Sequence, residues 1–443
     1  WLNTFGQDKI DALARSGDDT LMMQKQQTRL LVWVAVAACA CALPFGKKKE
    51  EEPEPEGGSV LSEVTSFVTS VVSGFFAVDF VWRFLLIVVL DAKYKLKEKV
   101  CAWSGAPDSV ALLLYFAMWY VLNTKYNEYN KGAIDAVGGK TAGMTMTVST
   151  MQLGVCAAYA LLLWAVGSNP VKILGGQWPE PQKVPASTTD DILKTVPVGF
   201  CAAAAHSSSV FALSGDPLFG QIVKAGEPVL SAIVNTIFYG SPPTFAKACC
   251  LPVIVGGVAF ASLKTDPVTG SYALKFDATA LYFGLMANAF AAFKGSENKK
   301  LMGAPGVKER YGGVGNQYAV TEILAFLISV PVMLFTESSM LTTFCKLCVT
   351  SSALRFNLVA SGLAFYVYNE LATMTIKKTS AVTASVANTA KRVIVLVYMS
   401  MITGKALTFE QKAGAGIAIG GVLVYSLVDD LIKKAMGSSK KSN

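Results

Sequence analysis

From about Asp108 onward, apolar stretches alternate with short polar separators as far as the C-terminus. Each stretch approaches the roughly 20 residues that a helix needs to cross a bilayer. The pattern predicts ten helices near 109–126, 141–167, 193–214, 217–239, 244–263, 276–294, 317–337, 352–374, 380–403 and 411–433. The separators carry helix breakers: Asn169-Pro170, Gly215-Asp216-Pro217, Gly240 before Pro242-Pro243, Asp266-Pro267 and Gly312-Gly313. Ahead of them the chain is less regular. Residues 1–28 are polar and mixed, and Leu30–Phe45 is a short apolar block ending near Pro44, read as a signal-like segment or a short anchor. Lys47–Gly58 reads as a charged, Pro/Gly-rich linker, and Val60–Leu90 as an extra helix with Asp79 and Arg83 one turn apart, so one or two extra N-terminal helices are expected ahead of the ten.

The ten blocks form a repeat. Thr244-Phe245 and Gly256-Gly257 match Thr408-Phe409 and Gly420-Gly421, and Gly240 matches Gly404, all at an offset of 164 positions. Tyr115-Phe116 pairs with Tyr282-Phe283 at a similar spacing. Five helices per half is an odd number, so the second half enters the membrane from the opposite side. The expected fold is an all-α polytopic membrane protein with ten transmembrane helices as two inverted five-helix repeats, the plan of alternating-access carriers. The expected organisation is residues 1–58 as N-terminal segment and linker, 59–104 as the extra helix region, 105–270 and 271–434 as the two halves, and 435–443 as a basic tail.

Composition narrows the class. Of 443 residues, 52% are apolar and only 16% charged, against about a quarter charged in a soluble domain, which excludes an ordinary soluble enzyme. The net charge of +8 suits loops facing anionic lipid. No basic run is interleaved with aromatics, so nucleic acid is not an expected partner. Cys345 and Cys348 form one CxxC with no second pair and no nearby His, so neither metal nor cofactor is expected.

Charges inside the helices carry the chemistry, because each costs at least about 2.5–3.5 kcal/mol to insert. Lys224 and Glu227 lie in the fourth helix, Lys391 and Arg392 mid-way along the ninth, and Lys294 near the end of the sixth. Glu227 balances one cation of the trio Lys224, Lys391 and Arg392, leaving a surplus that a dianion such as phosphate or a phosphate monoester would neutralise. An internal ion-pair network that merely fixes packing leaves that surplus unexplained. His206, the only histidine, lies beside Ser207, Ser208 and Ser209 in the third helix, and Tyr368 in the eighth is placed to offer its hydroxyl to a cavity.

These residues sit in stretches that are familiar together: WYVLNTKYNEYNK at 119–131, QIVKAGEPVLSAIV at 221–234, FYVYNE at 365–370 and SVANTAKRVIVLV at 385–397. Through them the chain resembles the plastid triose-phosphate/phosphate translocators of the drug/metabolite transporter superfamily, with the KxxEP and NTxKR boxes the specific ones. The resemblance implies a ten-helix antiporter, not an enzyme. It implies that Lys224, Lys391, Arg392 and Ser209 bind the substrate phosphate, that His206, Tyr368 and Lys294 contact its organic part, and that Glu227 is their structural charge partner. Ser209 stands where relatives often have Thr, Lys294 where they often have Arg, and the SGDPLFGQ turn departs from their pattern.

The expected activity is exchange of inorganic phosphate for triose phosphate or 3-phosphoglycerate across the plastid (chloroplast) inner envelope. Two alternatives stand beside it. One is the same fold carrying another phosphorylated metabolite (phosphoenolpyruvate, a pentose or hexose phosphate, a nucleotide sugar). The other is a carrier-derived subunit of a larger membrane complex, with a protein partner for residues 1–100.

Overall fold

The computed structural model describes residues 107–166, 183–265, 272–274, 276–378 and 381–439. The signal-like block, the linker and the extra N-terminal helices expected from the sequence lie outside the described residues. Helices occupy all ten predicted positions: α1 (Pro107–Ala136), α2 (Thr145–Val166), α3 (Thr189–Ser214), then α4 (Pro217–Ala225) and α5 (Glu227–Tyr239) where one helix was expected, and α6 (Phe245–Ala261). A two-stranded antiparallel hairpin follows, β1 (Leu263–Thr265) with β2 (Tyr272–Leu274). The chain continues through α7 (Ala278–Met302), the short α8 (Val307–Tyr311), α9 (Val314–Glu337), α10 (Leu341–Thr350), α11 (Ser352–Lys378), α12 (Ala381–Thr403) and α13 (Phe409–Ser439).

Among the described residues, five segments are long and apolar enough to cross a membrane, around α2, α3, α9 with α10, α12 and α13. The outside of the bundle is apolar, with Phe335 92% and Phe245 86% exposed, while Asn127, Asn130 and Gln152 are buried. This inversion of the soluble pattern suits a multi-pass membrane protein whose outer surface meets lipid.

Differences from the predicted boundaries have local causes. The polar run after Tyr126 does not end α1, because Asn123, Asn127 and Asn130 turn inward as a buried stripe. Gln152 on α2 joins that stripe, donating to Asn130 Oδ1 at 2.8 Å and to Ser361 Oγ on α11 at 2.9 Å. The third helix starts at a capping box in which Thr188 and Asp191 each accept the other's backbone N–H. The fourth breaks at Gly226, where Pro228 supplies no N–H for the Lys224 carbonyl.

The principal helix pairs are α1 with α11, α3 with α7, α2 with α9, and α6 with α13. Trp119, Leu122 and Tyr126 of α1 pack on Ala364, Val367 and Leu371 of α11. Polar ties pin both ends of the bundle. Arg310 on α8 holds Asp191 bidentately through Nε at 2.6 Å and Nη2 at 2.7 Å. Glu337, closing α9, accepts from the backbone N–H groups of Met146 and Thr147 at the start of α2, at 2.9 and 2.7 Å, where a helix N-terminus favours an anion.

Helices α6 and α13 cross in near-backbone contact. A Cβ on Gly257 would stand 2.5 Å from the Ala418 nitrogen and 2.8 Å from the Gly414 oxygen. Replacing Gly257 by Val is therefore expected to wedge the pair apart, at a cost of about 1–3 kcal/mol. Thermal unfolding of the purified protein in detergent should register several degrees of loss for this variant. Gly416→Ala is the control, since it meets nothing within 4 Å and should leave the midpoint in place.

Candidate functional site

The break between α4 and α5 builds the first part of the site. With no N–H at Pro228, the Lys224 carbonyl lacks its helical donor. Arg392 of α12 supplies one, its Nη1 donating to that carbonyl at 2.7 Å. Asn288 of α7 serves the neighbouring Val223 carbonyl at 3.0 Å. The second arm of the Arg392 fork reaches Glu227, Nη2 to Oε2 at 2.6 Å. One guanidinium thus ties both sides of the helix break to α12.

Lys391, next in the chain to Arg392, takes a different environment. Its Nζ lies 5.3 Å above the Trp119 ring of α1, a cation–π contact. Neither Lys391 nor Lys224 forms an ion pair among the described residues, and Glu227 is the carboxylate within electrostatic reach of all three cations. The Glu227 side chain is 44% exposed, so its carboxylate is open to a ligand as well as to Arg392. A cleft of about 350 Å³, lined by Phe116, Tyr120, Thr383, Val386, Ala387 and Ala390, opens between α1 and α12 beside Trp119 and Lys391.

The second part is aromatic. Tyr126 of α1 stacks among Phe365 and Tyr368 of α11, with ring centroids at 5.2 and 5.6 Å, and the His206 ring of α3 lies 4.3 Å from Phe365. His206 pairs through Nε2 with Gln152 Oε1 at 3.1 Å. Its Nδ1 and the Tyr126 hydroxyl are buried with no partner. Lys294 of α7 reaches the far edge, its Nζ 5.9 Å above the Tyr318 ring of α9. His206 lies within electrostatic reach of both Lys224 and Lys294, which joins the two parts.

The structure therefore gathers Lys224, Glu227, Lys391 and Arg392 around the helix break, and His206, Tyr368 and Lys294 around the aromatic cluster. Ser209 stands apart: its hydroxyl donates to the Ala205 carbonyl of its own helix at 2.8 Å. Ser207 is occupied by a hydrogen bond with Ser149. Sequence reasoning missed Glu322, which lies on α9 and is 1% exposed, with no hydrogen bond at either carboxylate oxygen. Its signal was present, a single acid in the otherwise apolar run AVTEILAFLISV. It also missed Tyr126 and Trp119, which lie in a quoted stretch, and Gln152, which lies in the next helix; none of them carries a charge.

Comparison with known proteins matches residues 110–426 to the model of the Triose-phosphate Transporter family. A phosphoenolpyruvate/phosphate translocator 3 from the rice Oryza sativa subsp. japonica is 28% identical, over 70% of this chain and 72% of the relative. A triose phosphate/phosphate translocator from Flaveria trinervia is 27% identical over 72% of each chain. A glucose-6-phosphate/phosphate translocator 1 from Arabidopsis thaliana is 27% identical over 73% of this chain and 76% of the relative. All three relatives are chloroplastic.

Proposed function

The chain belongs to the Triose-phosphate Transporter family, and on that premise we propose that it exchanges inorganic phosphate for triose phosphate or 3-phosphoglycerate across the plastid inner envelope by alternating access. It is a transporter rather than an enzyme. The observation that carries the reading is the charge balance at the helix break. Lys224, Lys391 and Arg392 share the single carboxylate of Glu227, and two of these cations have no ion pair among the described residues. A phosphate dianion supplies the missing charge. Lys224 and Lys391 meet it as point charges, and Arg392 turns its fork from Glu227 and the Lys224 carbonyl toward the phosphate oxygens. Ser209 joins by turning its hydroxyl from its own helix. The organic tail then extends toward His206, Tyr368 and Lys294, and the cleft beside Trp119 is the route in.

The inverted repeat belongs to the same reading, and matched positions doing matched jobs support it. Gly240 closes α5 at φ 62° and Gly404 follows α12 at φ 63°, both in the left-handed region. Thr244 caps α6 and Thr408 caps α13. Gly257 faces Ala418, and its counterpart Gly421 faces Ile254, the counterpart of Ala418. Exchanging each span for the one five places on swaps the α1–α11 pair with the α7–α3 pair and returns the α2–α9 and α6–α13 pairs to themselves. Rocking one half against the other would expose the site to each side in turn.

Relatives at this identity carry names for three-carbon, enol and hexose phosphates. The test is uptake of labelled phosphate by vesicles holding the purified protein and internal phosphate, competed by a panel of phosphate esters. Triose phosphate or 3-phosphoglycerate is expected to compete about as well as phosphate itself. Competition by glucose 6-phosphate alone would move the assignment to hexose phosphate, and absence of phosphate uptake would end it.

A further inference from the structure

Helix α12 and the broken helix α4–α5, which carry the charges of the helix break, are each tied further along to a glutamate on another helix. The Tyr398 hydroxyl of α12 donates to Glu128 Oε2 of α1 at 2.7 Å. The Tyr239 hydroxyl of α5 donates to Glu297 Oε1 of α7 at 2.6 Å. The two ties are built alike. Each glutamate keeps a lysine on its own helix: Lys125 Nζ stands 2.7 Å from Glu128 Oε2, and Lys300 Nζ 3.9 Å from Glu297 Oε2. Neither carboxylate is fully buried, with 31% and 22% of the side chain exposed. A phenol–carboxylate bond of this kind is strong, yet it can part without stranding a charge, because the lysine and water remain with the acid.

The ties flank the helix break on opposite sides. Along the broken helix Gln221 comes first, and it donates at 2.8 Å to Asn127 Oδ1, next in the chain to Glu128. Lys224 and Glu227 follow, where the Arg392 fork binds. Tyr239 comes last, at the end of α5. There Ser296 of α7 reinforces the tie, its hydroxyl donating to Asn235 Oδ1 at 2.6 Å. With the chain divided into residues 105–270 and 271–434, Glu128 and Tyr239 lie in the first half and Tyr398 and Glu297 in the second. Each tie thus crosses between the halves, and a rocking motion that opens one side of the site must part the tie on that side. Other polar ties also cross, Arg310 with Asp191 and Glu337 with the start of α2, but they join helices that carry none of the three cations.

We propose that these two hydrogen bonds are the latches of the carrier's two gates: Tyr398–Glu128 shuts the site toward one side of the membrane, and Tyr239–Glu297 toward the other. Both are made in this structure. A ligand leaves when one parts while the other holds, and the freed glutamate stays paired with Lys125 or Lys300. The inference rests on the reading of the chain as an alternating-access phosphate exchanger and names the groups that hold each side closed.

The test uses the full chain in vesicles that hold it in one orientation. Exchange of labelled phosphate is followed while phosphate is varied on the outer face and then on the inner one. The readout is the ratio of the two half-saturating concentrations, which does not depend on how much protein is active. Removing one latch favours the form open on that side, so Tyr398→Phe should shift the ratio about three- to tenfold. Tyr239→Phe should shift it by a similar factor in the opposite direction, and the double variant should return it toward the wild-type value. Glu128→Ala should move the ratio as Tyr398→Phe does and add little to it, since both break the same bond. A bond that only holds the bundle together gives no such opposed pair. Shifts in the same direction, or no shift in either tyrosine variant, therefore overturn the latches while phosphate exchange, and with it the exchanger reading, stands. A wild type with no phosphate exchange removes that reading and this proposal together.

Discussion

Phosphate exchange is expected to fall about 100- to 1,000-fold when Lys391 is replaced by alanine, with the protein still folding. The magnitude follows from the charge. A unit charge about 4 Å from another contributes about 4 kcal/mol at the effective dielectric of a protein site, near a thousandfold in affinity. Folding is spared because Lys391 supports no other group by an ion pair. Its ammonium rests on the Trp119 ring, and removing it leaves no buried acid uncompensated. Arg392→Ala should lose as much transport but also stability, since it strips Glu227 of its ion pair and the Lys224 carbonyl of its donor. Arg392→Lys keeps the charge and loses the fork, so it should fall between, about tenfold down. Initial rates of labelled phosphate uptake, beside thermal unfolding of the same preparations, separate the two effects. Full exchange in Lys391→Ala would remove the cation trio as the phosphate site.

The parts of this arrangement that could be read from the chain are those that depend on a residue and its immediate surroundings. Lys391 and Arg392 stand out because two adjacent cations in an apolar block have no local remedy. Gly240 and Gly404 stand out because a repeated glycine marks a repeated turn. The length of α1 was hidden because a run of Asn, Lys and Glu reads as a loop until one knows that its asparagines face Gln152 and Gln221. The break at Gly226 was hidden because QIVKAGEPVLSAIV is apolar across both pieces, and Pro228 is as compatible with a helix start as with a kink. The contacts that close the ends of the bundle were out of reach. Glu337 and Thr147 are 190 positions apart, Arg310 and Asp191 119, and nothing in either partner's surroundings points to the other. Glu322 is legible by the same insertion cost as Lys391, since each is a charge in a long apolar block.

Uptake should all but stop when the vesicles contain no phosphate or phosphate ester, and Lys224→Gln should weaken that dependence. With the site empty, three cations face one carboxylate, and closing both gates around them would bury unbalanced charge of one sign. A bound dianion removes the imbalance, so the loaded carrier crosses between its two open forms far more readily than the empty one. Each inward passage of phosphate then requires an outward passage of another ligand. Lys224 is suited to testing the idea because it has no ion pair among the described residues, and its carbonyl, which Arg392 holds, is unaffected by the side chain. Glutamine there lowers affinity and exchange, yet it also lowers the surplus by one charge and so eases the return of the empty carrier. The diagnostic quantity is the ratio of exchange to net efflux into phosphate-free medium, which should drop about tenfold or more relative to the wild type as both of its terms move. A variant in which exchange falls and the ratio stays fixed would mean that Lys224 only binds, and that something other than the charge of the empty site forbids the unloaded return.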